Sequence, residues 1–311
     1  VIIVGGEALV DLVPDPSTMD GELGPLLPRL GGGPYNVAVA LGRLDVPTGF
    51  VSRLSTDQFG DALLDRLVTA GVDVGGVQRG AEPTTLAVVG LAADGSARYS
   101  FHTEGTADRL VTDPGPLDSR ATALALGTLS LVLEPGASVY EQMMRREAGR
   151  GLFVSLDPNI RSGLIPDAEA YRARFRSWLP HVTLLKLSVE DAAWLADGDP
   201  QAAVADWLTA GPAAVVLTSG GEGLTVRTAE GLTAHAAATA VDVVDTIGAG
   251  DTVHAATLGW LSQQGALSRQ ALLALTGQQW RQALEFAGRA AALTCSRAGA
   301  EPPYAAELQA R

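Results

Sequence analysis

Short, nearly continuous apolar runs alternate with amphipathic stretches along most of the chain, and that alternation fixes the fold class before any single residue is considered. Runs at Val1 to Val4, Gly49 to Leu54, Ala121 to Leu133, Leu152 to Leu156, Val182 to Leu185 and Ala213 to Leu217 predict strands. Their continuity fits a sheet covered on both faces. Between them, Pro34 to Leu44, Asp57 to Ala70, Ala137 to Arg150, Ala168 to Leu179, Val189 to Ala196 and Gln201 to Ala210 predict helices, with Pro34 suiting a first helical position and Gly71 a C-terminal stop. Strand, helix, strand in series means an α/β protein with a mostly parallel sheet. Two stretches break the series. Leu9 to Leu30 is short-strand and proline material, and Thr85 to Leu91 with Ala97 to Phe101 flank Asp94-Gly95, a hairpin turn signal. An antiparallel pair inserted between βα units would disturb a parallel core, so both stretches are expected in a small accessory β-sheet placed as a lid. The expectation is one unit over residues 1–311 with a discontinuous lid from roughly 9–30 and 84–104.

Composition enters as a set of exclusions. With 22 basic and 35 acidic residues the net charge is −13, so a nucleic-acid groove would have to be built against the field of the whole protein. One cysteine, Cys295, gives neither an internal disulfide nor a thiol pair for structural zinc, which suits a reducing cytoplasm. No basic leader precedes the first apolar residues, and the Ala121 to Leu133 run is shorter than the roughly 18 residues of a membrane span; no membrane contact is expected. The only lysine, Lys186, follows leucine rather than glycine, which excludes a P-loop. A Rossmann fingerprint at Gly31 and Gly33 fails at Asn36, and neither G-x-S-x-G nor H-E-x-x-H occurs. His102, His181, His235 and His254 lack metal-ligand spacing and are read as packing residues.

Two glycine-rich segments carry the chemistry. In VVDTIGAGDTVHAATLGWL, Gly248, Ala249 and Gly250 run into a helix, so backbone N–H groups and the positive end of the helix dipole can cradle an anion. Asp251 follows at once; beside an anion cradle its natural task is to accept a proton from a hydroxyl that attacks a bound phosphoryl group, the alternative being a carboxylate that complements the dipole. In RLGGGPYNVAVALGRL, Gly32, Gly33 and Asn36 offer N–H and amide groups, and Asp11 adds an acceptor, a mixture suited to sugar hydroxyls.

These two segments resemble the N-terminal and C-terminal signatures of the ribokinase, or PfkB, family of carbohydrate kinases, in the right order and over two hundred residues apart. The resemblance covers essentially the whole chain and implies a three-layer α/β/α ribokinase-like core with a β-sheet lid, through which many members form homodimers. It implies ATP-dependent phosphorylation of a sugar primary hydroxyl with Mg²⁺. Asp251 then matches the catalytic base, Gly248, Ala249 and Gly250 the anion hole, and Asp11, Gly32, Gly33 and Asn36 the sugar contacts. Thr218, Gly220 and Gly223 in LTSGGEG match a turn beside the nucleotide, although the residues alone read as a tight hairpin. Asp245, Ile247, Thr294, Arg297 and Gly299 match a loop pair that holds a monovalent cation such as K⁺ in many members; the local alternative is a helix C-terminus closed at Gly299. The family's N-x-x-E appears as Ser188 to Asp191, with serine for asparagine and aspartate for glutamate, so Ser188 and Asp191 stand at the nucleotide–magnesium position in altered form. Asp157, Asn159 and Arg161, in SLDPNIRSGL, lie past a strand end where open α/β sheets bind ligands and resemble fructokinases and 2-keto-3-deoxygluconate kinases. The opening GGEALVDLVP, the EGTADR stretch and LEPGAS lean towards bacterial fructokinase, with fructose converted to fructose 6-phosphate. Glu134 reads equally as a pocket residue or a strand-end carboxylate. The other readings are a different sugar or nucleoside kinase of the family, or a non-catalytic sugar-binding sensor.

Overall fold

Nearly continuous burial along the apolar runs builds the central sheet of the computed structural model, which describes residues 1–15, 24–91 and 97–309. The chain opens with β1 (Ile2–Gly5), leaves the core for β2 (Leu9–Pro14) and β3 (Leu26–Gly31), and returns through α1 (Gly33–Arg43) to β4 (Thr48–Ser55). It continues through α2 (Gln58–Thr69) and β5 (Val77–Gly80) to a second excursion, β6 (Thr85–Leu91) and β7 (Ala97–His102). The remaining βα units are β8 (Ala123–Gly127), α3 (Gly136–Gly149), β9 (Phe153–Asp157), α4 (Ala168–Trp178), β10 (Leu184–Ser188), α5 (Val189–Ala196), α6 (Pro200–Ala210) and β11 (Ala214–Thr218). A hairpin of β12 (Leu224–Thr228) and β13 (Thr233–Ala236) precedes α7 (Ala249–Gln263), α8 (Arg269–Leu273), α9 (Gly277–Cys295) and α10 (Ala305–Gln309).

Nine strands form one sheet in the order β13-β12-β11-β10-β9-β8-β1-β4-β5, parallel except where β12 meets β11 and β13. Alternate residues serve opposite cores. Phe153 and Leu184 face the side covered by α1, α2, α7 and α9, whereas Val154, Leu156, Leu185 and Leu187 face α3 to α6. Each large side chain taken out of water there contributes roughly 1.5–3 kcal/mol before ordering costs. Helix starts are written in the sequence: Asp57 accepts the Gly60 N–H at 2.8 Å, and Thr276 with Gln279 closes a capping box on α9.

The two interruptions meet in a separate four-stranded sheet, β3-β2-β6-β7, in which β2 pairs in parallel with β6. This is the expected three-layer core with a small lid sheet. The Asp94-Gly95 turn lies outside the described residues. The Ala121 to Leu133 run corrects the sequence reading: only Ala123–Gly127 is strand, and Thr128–Leu131 is a 3-10 turn with Thr128 at φ 58°. Leu129 and Leu131 keep the run apolar because the turn itself is buried. The sequence reading also left β5, the β12–β13 hairpin and α9 unassigned; β5 and β13 are the edge strands of the sheet and β12 lies next to one of them, all short and with half-buried faces.

Candidate active site

The site forms at the carboxyl ends of the parallel strands, where α7 begins. Gly248, left-handed at φ 77°, starts the helix, and Asp251 lies in its first turn, only 8% exposed. Two amides hold this carboxylate. Asn36, from α1, donates to Oδ2 at 2.9 Å, and Asn159, beyond β9, approaches Oδ1 at 3.5 Å. Burial pushes the Asp251 pKa up to about 6, against the lowering effect of Asn36, while Asp157 raises it and Lys186 and Arg161 lower it. A buried carboxylate that still ionises near neutral pH can take up a proton, which a solvated one does poorly.

Beside Asp251 opens a cavity of about 290 Å³ that brings together Asp11, Gly32, Gly33, Asn36, Asn159, Arg161, Gly248 and Gly250, residues from four separate stretches of sequence. Asp11 comes from β2 of the lid, so the lid supplies part of the wall. Burial raises its pKa to about 6, with Arg161 opposing and Asp251 and Asp245 adding to the rise. Gly32 is where the lid returns to the core. Its φ of 110° and the Glu7 carbonyl only 2.8 Å from any added Cβ leave room for glycine alone. Glu7, which the sequence reading passed over, is 3% exposed and accepts the Gly33 N–H at 3.2 Å and the Ser130 N–H at 2.9 Å. It therefore clamps the glycine turn to the turn after β8. The sequence shows only a glutamate between two glycines and an apolar stretch, with its partners far away in the chain.

Other expected site residues are placed differently. Asp157 does not line this cavity; its carboxylate pairs with Lys186 at 2.7 Å and lines a small inner pocket of about 10 Å³ with Asp251 and His254. His254 packs as expected, 2.6 Å from Ser155 Oγ, with burial lowering its pKa to about 4. Glu134 turns away from the pocket to Arg174 and the Ser138 N–H; it lies past the turn that follows β8 and just before α3, so it is neither a pocket residue nor a strand-end carboxylate. Ser188 caps α5 by accepting the Asp191 N–H, and Asp191 in turn accepts the Ile160 N–H. Burial and then Asp157 raise the Asp191 pKa. Thr218, Gly220 and Gly223 lie in the β11–β12 turn, so the hairpin reading of those residues was structurally right.

Ala249 is the first residue of α7. Asp245 ties two loops together, accepting the Ile247 N–H at 3.0 Å and the Gly299 N–H at 2.8 Å. The side chains of Thr294 and Arg297 are engaged elsewhere: Thr294 is buried against Thr252, and Arg297 pairs with Glu307. Arginine is itself a cation, so of that expected set only Asp245 offers a side-chain acceptor. Among the described residues no three His, Cys, Asp or Glu side chains converge on a metal position.

Asp251 is thus a carboxylate held by two amides at a helix start, facing a polar cavity between core and lid. Comparison with known proteins assigns the chain to a family. The model for "pfkB family carbohydrate kinase" matches residues 2–306. A fructokinase of Rhizobium leguminosarum bv. trifolii is 38% identical over 287 residues, covering 90% of this chain and 85% of that protein. The structure of a fructokinase with bound ATP from Xylella fastidiosa superposes with a TM-score of 0.89 at 29% identity, over 99% of this chain and 97% of that one. A fructokinase double mutant from Vibrio cholerae O395, in fructose, ADP and potassium ion bound form, gives 0.83 at 26% identity, over 99% and 97%. The chain belongs to the pfkB family of carbohydrate kinases.

Proposed function

We propose that this kinase transfers the γ-phosphoryl group of ATP to the primary hydroxyl of fructose, giving fructose 6-phosphate. The observation that carries the reading is Asp251, buried in the first turn of α7 and sharing one cavity with Asp11, Asn36, Asn159 and Arg161. The fructokinase relatives support the choice of sugar. Asp11, Gly32, Gly33, Asn36 and Asn159 bind the sugar, and Asp251 receives the hydroxyl proton. Even a carboxylate with a pKa near 6 is too weak to strip an alcohol beforehand, so the proton moves late, as the oxygen attacks through a loose phosphoryl transition state. Backbone N–H groups at Gly248 and Gly250 receive the charge that develops on the phosphoryl oxygens, joined by that of Ala249 once it gives up its 3.2 Å bond to the Thr246 carbonyl. ATP lies toward the β11–β12 turn, with Thr218, Gly220 and Gly223.

Mg²⁺, when bound, would neutralise negative charge on the nucleotide's phosphates, and Asp191 with Ser188 would be the residues that face it. A monovalent cation such as K⁺ would be held beside Asp245, where that carboxylate links Ile247 to Gly299, and Thr294 and Arg297 could offer it only backbone carbonyls. The chain acts as one domain with a discontinuous lid, and as a cytoplasmic homodimer. The free thiol of Cys295 and the exposed edge strand β3, with Leu26 41% exposed, support the last two points. Light scattering that shows only monomer removes the dimer.

A second reading has its own observation. Arg161 places a guanidinium at the cavity, which suits the carboxylate of 2-keto-3-deoxygluconate. ADP release with ATP and Mg²⁺ is measured across fructose, 2-keto-3-deoxygluconate, ribose and adenosine, with Asp251→Asn alongside. Turnover on fructose that falls at least about 100-fold in the variant is expected. Preference for the acid sugar transfers the assignment to the second reading, and undiminished turnover in Asp251→Asn removes the base.

A further inference from the structure

Lys186 is the only lysine of the chain, and it is spent on the inside of a central strand. Period-two geometry puts it on the same face of β10 as Leu184, the face covered by α7 and α9, where it is 4% exposed. Its ammonium lies 2.7 Å from Asp157 at the end of the neighbouring strand β9. Burying such a pair costs several kcal/mol per ion, and apolar replacements of equal volume are often neutral or stabilising. Stability alone therefore does not account for a charge pair on a sheet face that also carries Phe153, Leu184 and Val216.

The position of the ammonium does. A Cβ added to Gly250 would lie 3.0 Å from Lys186 Nζ, the one atom outside the helix's own turn that it would meet. The charge thus presses on the first turn of α7 from inside, directly behind the last residue of the Gly248, Ala249 and Gly250 cradle and one residue from Asp251. We propose that Lys186, paired to Asp157, is a positioning residue for phosphoryl transfer: its fixed positive charge sits behind the cradle, holds the turn that carries Asp251, and balances the negative charges gathered there. This rests on the reading of Asp251 as the base. The groups that face Asp251 are Asp11 from β2, Asn36 from α1, Asp157 from β9, Asn159 and Arg161 beyond it, Lys186 from β10 and His254 on α7 itself. Of these, Asp157 and Lys186 act on Asp251 in opposite senses.

That opposition supplies a readout that a merely structural pair would not move. Lys186→Met, Asp157→Asn and the double variant are compared with the wild type on fructose and ATP from about pH 5 to about pH 9. Lys186→Met is expected to lose about 10-fold or more in kcat with the fructose KM within about twofold. The acid limb of the rate profile should move up in Lys186→Met and down in Asp157→Asn. The double variant, which keeps the volumes and buries no lone charge, should return the limb to its wild-type place while kcat stays low; it also serves if a single variant fails to fold. A wild-type kcat in Lys186→Met or in the folded double variant, or a limb that moves the same way in both single variants, overturns the proposal. Asp251→Asn run in parallel separates the two claims: full activity there removes the base, while the kcat of the Lys186 variants still decides the role of the lysine.

Discussion

At the residue scale the burial of Asp251 links activity to stability. Its pKa in the folded chain, about 6, lies above the ordinary carboxylate value, so the fold prefers the protonated form. The stability that this preference supplies is full below the ordinary carboxylate range and is lost as the pH rises through about 6. At neutral pH the enzyme therefore carries an ionised group at a cost of roughly 1–3 kcal/mol. Asp251→Asn should melt several degrees higher than the wild type near neutral pH, a gain that shrinks toward acid, while kcat collapses; calorimetry that finds no gain contradicts this account. Asp11 rises to about 6 for the same first cause, so the wild-type rate should fall as the pH drops through about 6, more steeply than a single group allows, because the two carboxylates interact. Asp11→Ala should raise the sugar KM far more than the ATP KM, and equal changes would place Asp11 outside the sugar site. Asp251 was legible from sequence because Gly248, Ala249 and Gly250 lead straight into it and Asn36 because three glycines precede it closely, whereas Asp11, between Val10 and Leu12, was legible only as a carboxylate following the first strand. Lys186 and Glu7 were not, since each shows its partner only when distant strands and turns are brought together.

Elements show the same division. Helices α2 and α5 carry their caps in the sequence, and their bounds followed from pattern alone. The β8 run did not, because a buried turn and a buried strand need the same apolar residues. Asp57 does more than cap α2: its carboxylate also takes the N–H and hydroxyl of Thr84, the residue before β6, at 2.9 and 2.7 Å. The root of the second lid excursion is thus fastened to the start of a core helix. Asp57→Ala should cost about 1–2 kcal/mol in denaturant unfolding and raise the sugar KM, since the lid loses its anchor. Asp57→Asn, which keeps an acceptor, should recover part of both. Unchanged unfolding in the alanine variant would mean that water replaces the cap.

Across the whole molecule, the chain crosses between core and lid at Gly6–Ala8, at Gly31–Gly33, and before and after the β6–β7 pair, and the first two crossings border the cavity. Lid and core therefore share the site, and this arrangement was legible because two strand stretches interrupt the strand–helix series between core strands. With Lys186 buried, the outer surface of the protein carries no side-chain amine, its positive charges being arginines. Amine-directed reagents should consequently modify only the amino terminus of the folded chain, and trypsin should cut its surface only at arginine. Any slow acylation of Lys186 would then time the opening of the turn behind Gly250, making the one lysine a chemical clock set inside the site, and saturating sugar with nucleotide should stop it.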